Sequence, residues 1–222
     1  MNTSQENYIK TIYSIAEKSD MEYVNTNAIA EKLDMKASSV TEMLKKFESA
    51  GIANYKKYKG VKLTKKGTSM ALNLIRKHRL WEVFLLEKLD FKWDEVHDIA
   101  EQLEHIQSKE LTDRLDAFLE HPKFDPHGDP IPDRDGNIED NRPSALLSEF
   151  AERESGIMIG VVDSSSVFLK YLERIHITLD QELTVIEKLE FDGSLVLSVG
   201  GNETSISAQA AKNIILKPKR HA

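Results

Sequence analysis

The sequence contains no cysteine in its 222 residues. Disulfide bonds, thiolate-ligated zinc sites and iron–sulfur clusters are therefore excluded, and a reducing cytoplasm is the expected location. The chain also lacks an apolar run of about eighteen residues, the length that a membrane-spanning helix needs. Its first residues, MNTSQENYIK, do not follow the basic-then-apolar plan of a signal peptide. These absences predict a cytoplasmic protein without a membrane segment.

Positive charge is concentrated in one part of an otherwise acidic chain. The formal net charge is −7, yet residues 36–77 carry eleven Lys or Arg residues against two Glu residues, a local charge of +9. A basic block of this kind indicates a module that binds a polyanion such as DNA, with a solvated lysine face as the alternative. The length of the chain predicts two or three domains.

The N-terminal part has the pattern of a helix followed by a helix-turn-helix. Apolar residues recur at helical spacing over residues 5–18. Two shorter helices are predicted at 26–33 and 38–50, the second beginning with serine cap residues and ending at Gly51, a C-terminal cap. A generic helical hairpin has a similar pattern, so the residues that follow decide between the two.

Two short strands follow and predict a winged helix-turn-helix. Residues 52–55 and 61–64 are strand-like, and the basic loop Lys56–Gly60 lies between them. In this motif the second helix enters the major groove of double-stranded DNA and the wing lies along phosphate. The predicted DNA-binding residues are Lys36, Ser38, Ser39, Thr41, Lys45, Lys57 and Lys59.

The middle of the chain is predicted to be helical and to self-associate. One long helix is predicted at 64–89, broken or bent near Gly67, and another at 93–119, in two pieces. These segments carry more apolar residues than one helix pair needs. A homodimer would bury them and would match a palindromic DNA site, and an intramolecular core is the alternative.

The last third is predicted to be a small β domain that follows a proline-rich segment. Five of the six prolines lie in residues 121–143, which predicts a linker or an ordered loop. Beyond it the sequence predicts a helix near 167–174 and strands at 157–162, 183–191, 194–199 and 213–217. The fold class is therefore mainly α with a small β-barrel. The predicted domains are 1–72, 73–143 and 144–222.

Four residues of metal-binding types share one predicted helix face. They are His97, Glu101, Glu104 and His105. Their spacing places them on successive turns of an α-helix. Imidazole nitrogen and carboxylate oxygen together suit a divalent ion that is hard or of intermediate softness. Upstream, His78 and Glu82 form a second pair at helical spacing. A polar seam that holds no ion is the alternative.

Four motifs follow one another along the chain. They are YIKTIY (Tyr8–Tyr13), RKHRLWEVFL (Arg76–Leu85), VHDIAEQLEH (Val96–His105) and PHGDPIP (Pro126–Pro132). Together they resemble the diphtheria-toxin-repressor family of metal-dependent transcriptional regulators, over nearly the whole chain. The resemblance is strongest to manganese-responsive members. It implies a winged helix-turn-helix, a helical dimerisation domain and a C-terminal SH3-like domain.

The resemblance implies a primary metal centre with ligands from two predicted helices. Carried over, these ligands are Asn7, Glu101, Glu104 and His105, and His78 also contributes in the short manganese regulators. Iron-type members have methionine and cysteine at the positions of Asn7 and Glu101, where this chain offers oxygen. Oxygen ligands disfavour softer ions and suit Mn²⁺. Mn²⁺ is therefore the expected cofactor, with Fe²⁺ second.

Two residues depart from the manganese-type pattern. Asn7 stands where Asp is usual, which removes one negative charge from the centre. Lys10 stands where short members have a Glu that helps to hold an adjacent second ion, which argues against such an ion pair. A second ion would lie elsewhere. The two implied ligand sets are His78, Glu82 and His97, or Glu82, Asp125, His127 and a carboxylate such as Asp163.

The resulting hypothesis is a Mn²⁺-activated repressor of metal-uptake genes that binds operator DNA as a homodimer. Ligands from both helical domains would couple the ion to the DNA-binding helices. The alternatives are an iron-dependent repressor of the same family, a winged-helix regulator that senses an organic ligand, and a metal-dependent hydrolase. The sequence has no H-E-x-x-H, nucleophile elbow or phosphate-binding loop, so neither enzyme activity nor an organic substrate is expected.

Overall fold

The computed structural model describes residues 1–19 and 21–219, which form two compact units. The first unit contains Met1–His78, Glu101–Asp113 and Pro132–Ile138. The second contains Arg79–Ala100, Arg114–Ile131 and the described residues from Glu139 onward. The last three residues of the predicted domain 144–222 lie outside the described residues. Within the described ranges, no helix is long and apolar enough to span a membrane.

Three helices and a β-hairpin begin the first unit. They are α1 (Thr3–Ser19), α2 (Thr26–Lys32), α3 (Ala37–Ser49), β1 (Ala53–Lys56) and β2 (Gly60–Leu63). The strands pair antiparallel, from Ala53 opposite Leu63 to Lys56 opposite Gly60. This arrangement confirms the predicted winged helix-turn-helix.

An apolar core fixes these elements to one another. Tyr8 and Ile12 of α1, Ile29 of α2, and Leu44 and Phe47 of α3 are almost fully buried. The rings of Tyr8 and Phe47 meet edge to face, with centroids 6.3 Å apart. Because the buried residues recur at helical spacing, each helix turns one apolar face inward and presents a polar face outward.

The two helices of the helix-turn-helix begin differently. The Asn25 side chain caps α2 by accepting a backbone N–H from its first turn, over 2.8 Å. Helix α3 begins at Ala37 without a side-chain cap. The predicted serine cap is therefore wrong, because Ser38 already lies inside the helix. At the other end the prediction is confirmed, since the chain turns at Gly51 with a φ of +66°.

Helix α4 (Lys65–Leu89) is continuous over its 25 residues, so the predicted break near Gly67 is wrong. A Cβ atom at Gly67 would lie 2.2 Å from the carbonyl oxygen of Ile52. The glycine therefore permits a close approach between the helix and the preceding turn.

The second predicted helical segment is divided into two helices, as expected. They are α5 (Val96–Leu103) and α6 (Lys109–Phe118). Residues 121–143, all of which the structure describes, form an ordered loop. One turn of this loop is built on Asp125, whose Oδ1 accepts the backbone N–H groups of His127 (2.8 Å) and Asp129 (2.9 Å).

The described C-terminal residues form an antiparallel sheet of six strands in the order β3-β8-β4-β5-β6-β7. The strands are β3 (Ala145–Leu146), β4 (Ser155–Val161), β5 (Glu182–Lys188), β6 (Leu195–Val199), β7 (Asn202–Ile206) and β8 (Ile214–Pro218). Helix α7 (Ser166–Arg174), helix α8 (Ala208–Ala211) and the 3-10 turn Leu147–Glu149 accompany them. The predicted small β domain is confirmed. The sequence pattern missed β3, which has two residues, and β7, which is mostly exposed and lacks apolar alternation.

Candidate metal centres and DNA-binding surface

Glu104 is the most buried charged residue of a polar cluster in the first unit, with 1% of its surface exposed. Lys10 Nζ of α1 donates a hydrogen bond to Glu104 Oε2 over 2.6 Å, and His78 Nδ1 of α4 lies 2.6 Å from the same oxygen. Lys10 Nζ also lies 3.2 Å from His78 Nδ1 and 3.8 Å from Glu101 Oε1. Side chains from α1 and α4 thus converge on one carboxylate.

His105 links this cluster to the start of α1. Its Nδ1 lies 2.6 Å from Oε2 of Glu6, and its Nε2 lies 3.9 Å from Oε1 of Glu104. Gln107 Nε2 donates a hydrogen bond to the other Glu6 oxygen over 2.7 Å. A carboxylate that accepts the Nδ1 proton of a histidine orients the ring and leaves the Nε2 lone pair available to a metal ion. The Glu6–His105 pair therefore has the form of an oriented metal ligand.

The surroundings of Glu104 favour its ionised form. Burial alone would raise the pKa of Glu104, but the hydrogen bond with His78 and the positive charge of Lys10 lower it below its usual value. Burial lowers the pKa of the nearby Lys77 amine, and the charges of Glu6 and Glu104 partly offset this effect. Glu104 therefore offers anionic oxygen from a largely buried side chain.

The structure places Asn7, the ligand expected from α1, on the exposed side of that helix. Its neighbour Glu6 is buried and contacts His105. Sequence reasoning missed Glu6, although a signal was available. Glu6 lies three residues before the apolar Ile9, so it adjoins the apolar face of α1, whereas Asn7 lies about 100° further round the helix, away from that face.

The primary donor set fits a divalent ion. Glu101, Glu104 and His105 all belong to the first unit, and they offer carboxylate oxygen and imidazole nitrogen, the ligands that Mn²⁺ and Fe²⁺ accept. The Glu101 side chain is about half exposed, which leaves the cluster open on that side. Lys10 already supplies one positive charge to Glu104.

A second group of ligand-type residues lies in the second unit. Glu82 of α4 and Asp125 and His127 of the proline-rich loop are all buried, with one ligand atom from each lying within 4.8 Å of the others. His127 Nδ1 lies 3.6 Å from Glu82 Oε1, and His127 Nε2 lies 3.3 Å from the carbonyl oxygen of Trp93. A proton on Nε2 would bind that carbonyl and leave Nδ1 as a ligand atom.

The second group carries concentrated negative charge. Burial, followed by the charge of Glu82, raises the pKa of Asp125 to about 7, although Arg79 opposes the shift. Arg79 Nε lies 3.5 Å from Asp125 Oδ2. Burial lowers the pKa of His127, but the hydrogen bond with Glu82 and the charges of Glu82 and Asp125 together outweigh it, so the pKa is raised. Two buried carboxylates beside an imidazole fit a divalent cation, which would neutralise them.

The loop that carries Asp125 and His127 is fastened to β4. The backbone N–H of Val161 donates to the His127 carbonyl over 3.0 Å. Arg142 Nη2 donates to the carbonyl of Gly128 over 2.7 Å, and its guanidinium lies 3.4 Å from the centre of the Phe124 ring. A Cβ atom on Gly128 would meet the Ile159 carbonyl oxygen, so the backbones approach closely. The C-terminal sheet therefore sets the position of His127.

Each of the three other predicted ligands is described within its own unit. His97 belongs to the second unit, where its Nδ1 lies 3.3 Å from Glu82 Oε1. His78 belongs to the first unit, beside Glu104. Asp163 is exposed in the turn between β4 and α7, where its Oδ1 accepts the backbone N–H of Ser165 over 2.9 Å, and it is not among the clustered residues Glu82, Asp125 and His127.

The predicted DNA-binding residues lie on α3 and the wing. Lys36, Ser38 and Lys45 are exposed, and Ser39 and Thr41 are partly exposed. The Thr41 hydroxyl donates to the Ala37 carbonyl over 2.9 Å, so its methyl group and lone pairs are what remain for a base edge.

The two wing lysines lie beside aromatic side chains, and one of them also lies beside an acidic side chain. Lys59 Nζ lies 4.3 Å from the centre of the Tyr23 ring and 3.7 Å from Glu22 Oε2. Lys57 Nζ lies 4.9 Å from the centre of the Tyr58 ring, which is 93% exposed. Tyr58, which sequence reasoning did not select, stands beside the lysines at the tip of the hairpin.

Three family models match consecutive parts of the chain. The iron-dependent repressor N-terminal DNA-binding domain matches residues 1–61. The iron-dependent repressor metal-binding and dimerisation domain matches residues 64–133, and the FeoA domain matches residues 145–218.

Relatives match over longer stretches. The iron-dependent repressor IdeR of Mycobacterium leprae is 32% identical over 160 residues, which are 71% of this chain and 69% of that protein. The diphtheria toxin repressor of Corynebacterium diphtheriae is 26% identical over 216 residues, 94% of each chain. A solved structure of a manganese-dependent transcriptional repressor in complex with manganese is 34% identical, with a TM-score of 0.84 over 97% of this chain and 100% of that one. The chain belongs to the diphtheria-toxin-repressor family.

The family is one of metal-dependent transcriptional repressors, and its parts correspond to elements of this fold. The DNA-binding model covers α1 to α3, β1 and the start of β2, and the metal-binding and dimerisation model covers α4 to α6 and the loop with Asp125 and His127. The FeoA model covers the six-stranded sheet. The domain limits 1–72, 73–143 and 144–222 stay a prediction.

Substitutions of Glu6 and Asn7, two neighbouring residues of α1, test which of them contributes to metal binding at the primary centre. We expect Glu6→Gln to weaken Mn²⁺ binding about 10–100-fold, because His105 would lose the carboxylate that orients it. Asn7→Ala is the matched control and should change the affinity little. Isothermal titration of both variants measures the difference. The reverse ranking would show that α1 acts through Asn7 as a ligand.

Substitutions on the wing and on α3 should affect DNA binding in different ways. Lys57→Ala should weaken binding to all sequences alike and reduce the salt slope by about 1, because it removes a phosphate contact. Ser38→Ala should change the preference among sequences and leave the salt slope unchanged. Fluorescence anisotropy against specific and random duplexes at several salt concentrations separates the two. Identical behaviour would contradict the assignment of α3 as the recognition helix.

Proposed function

We propose that this chain is a Mn²⁺-dependent repressor that binds operator DNA and controls metal-ion uptake. The observation that carries the proposal is the contact between His105 and Glu6, at 2.6 Å. It connects the candidate ligands at the end of α5 to α1, the helix that precedes the helix-turn-helix. Within the first unit, an ion held by Glu104 and His105 would therefore act on an element of the DNA-binding fold.

The choice of Mn²⁺ is supported by the donor atoms. Glu101, Glu104 and His105 offer oxygen and nitrogen and no sulfur. Sulfur ligands would favour softer ions, whereas a set dominated by oxygen lets Mn²⁺ compete despite its low place in the Irving–Williams order. The manganese complex of the similar repressor supports the same choice. Fe²⁺ is the second candidate, since IdeR is named for iron.

A homodimer on double-stranded operator DNA is the proposed working form. The matching dimerisation model supports it, as do two exposed apolar residues of α6, Leu111 and Phe118. They are seven residues apart and so share a face of that helix. A two-fold dimer presents two α3 helices to two half-sites. With operator DNA as its target, the protein would act in the cytoplasm.

The mechanism requires the bound ion to favour one position of α1. The ion would supply positive charge that Glu101 and Glu104 share. Glu6 holds His105 in place from α1, so the orientation of His105 depends on where α1 lies. Tyr8 and Ile12 on the same helix pack into the core of the winged helix. Coupling of this kind is typically worth about 1–3 kcal/mol, or about 5–150-fold in DNA affinity.

A metal-dependent hydrolase is the rival from another class. The hydrolase would need an open ligand position and a base beside a substrate cleft. Membership in a family of transcriptional regulators favours the repressor, and we propose no enzyme activity.

Operator titrations with and without Mn²⁺ test the proposed function. We expect the loaded protein to bind about 5–150-fold more tightly. His105→Ala should abolish both metal binding at this centre and the increase in operator affinity. His121→Ala, which changes an exposed histidine outside both groups, is the matched control. Equal operator affinity with and without Mn²⁺ would contradict the proposal. If His105→Ala lost the metal but kept operator binding, the result would favour the hydrolase or a polar cluster with only a structural role.

A second ion, held by Glu82, Asp125 and His127, is also part of the proposal. Trp93 provides a reporter, because its ring stacks on His127 with centroids 6.1 Å apart. In a Trp81→Phe background, Mn²⁺ should quench the remaining tryptophan in proportion to occupancy of this group. Asp125→Asn should remove that quenching and one ion per subunit. Unchanged quenching in Asp125→Asn would place the second ion elsewhere.

A further inference from the structure

Lys10 occupies the position in the primary cluster where a cation is expected. Its side chain is 18% exposed, and its ammonium group lies among three ligand-type side chains. Nζ is 2.6 Å from Glu104 Oε2, 3.2 Å from His78 Nδ1 and 3.8 Å from Glu101 Oε1. These are groups that a divalent ion would also use.

The two oxygens of Glu104 have different partners. Oε2 is shared by Lys10 Nζ and His78 Nδ1, each at 2.6 Å. Oε1 is the oxygen nearer to the His105 ring, 3.9 Å from its Nε2. Oε2 therefore already has a cation beside it, whereas Oε1 faces the imidazole of His105, which Glu6 orients.

We propose that Lys10 is a tethered cation that neutralises Glu104 in the metal-free protein and competes with the metal ion for that carboxylate. The metal ion then binds on the Oε1 side, with His105, and His78 remains a partner of Glu104. Lys10 therefore limits this centre to one ion and lowers its affinity. The inference rests on the proposed function, because it assigns the metal to this cluster.

Elementary electrostatics supports both roles of Lys10. A buried carboxylate without a partner is costly, so an ammonium at 2.6 Å stabilises the fold when no metal is bound. The same charge repels a divalent ion that approaches the carboxylate, and the repulsion is strong where water is partly excluded. The charge of Glu104 also acts on Lys77, but Lys77 Nζ donates to the Ile106 carbonyl oxygen over 3.4 Å, whereas Lys10 Nζ donates directly to the carboxylate.

Lys10→Met tests the proposal by keeping the apolar stem and removing the charge. In chelator-treated protein, the melting temperature should fall by about 5 °C or more, because Glu104 loses its cation. In a His127→Gln background, which removes a ligand of the second group, Mn²⁺ affinity by isothermal titration should rise about tenfold or more. Lys18→Met, an exposed charge on the same helix, is the matched control and should change neither quantity.

Lys10→Glu provides a second test through stoichiometry. A carboxylate in place of the ammonium would offer a ligand beside Glu104 Oε2 and His78, so this variant should bind one more Mn²⁺ ion per subunit than its parent in the same background. Native mass spectrometry or atomic absorption after gel filtration measures the count. An unchanged count would contradict the claim that Lys10 excludes a second ion.

The outcomes separate this inference from the proposed function. If Lys10→Met lowers the melting temperature and also weakens Mn²⁺ binding, Lys10 is a scaffold for the centre and competition is refuted. If affinity and melting temperature both stay unchanged, the tethered cation has no role. If the parent protein binds no Mn²⁺ through His105, the proposed function fails, while a selective drop in the metal-free melting temperature of Lys10→Met still supports the neutralising role of Lys10.

Discussion

A carboxylate removed from water has to be matched by positive charge or by hydrogen-bond donors, since leaving it uncompensated costs several kcal/mol. Glu104 imposes this requirement on the first unit, where Lys10 and His78 meet it. Glu82 and Asp125 impose it on the second unit, where the histidine and arginine partners leave the pKa of Asp125 well above its usual value. Each candidate centre therefore follows from buried negative charge, and the two differ in how completely the protein neutralises it.

This difference supports different proposed roles for the two candidate centres. In the first unit the charge is balanced by a residue of α1, so any ion that redistributes it acts on the helix that packs against the helix-turn-helix core. In the second unit the loop with Asp125 and His127 is fastened to β4 through Val161 and Arg142. An ion there would join α4 to the C-terminal sheet. One centre suits regulation of DNA binding, and the other suits attachment of the third domain.

Periodicity and resemblance predicted the winged helix, the divided second helical segment and the small β domain, because apolar spacing reports directly on which faces are buried. They failed where a contact distant in sequence decides. Gly67 resembles a helix break, yet it accommodates the Ile52 carbonyl. Asn7, which follows from family position, stays a prediction, and the contact of Glu6 with His105, 99 residues further along the chain, depends on how α1 is rotated.

A tethered cation also explains how a metal sensor can remain folded without its metal. In structural zinc sites the ligands come together only when the ion binds. The free energy of metal binding therefore drives folding at those sites. Here Lys10 and Glu6 hold Glu104 and His105 in place beforehand. The positive charge of Lys10 then lowers the affinity for an arriving ion. The binding free energy that remains can favour one position of α1. A fixed competitor of this kind weakens metal binding without loosening the fold, and reversible occupancy is what a metal-dependent repressor requires.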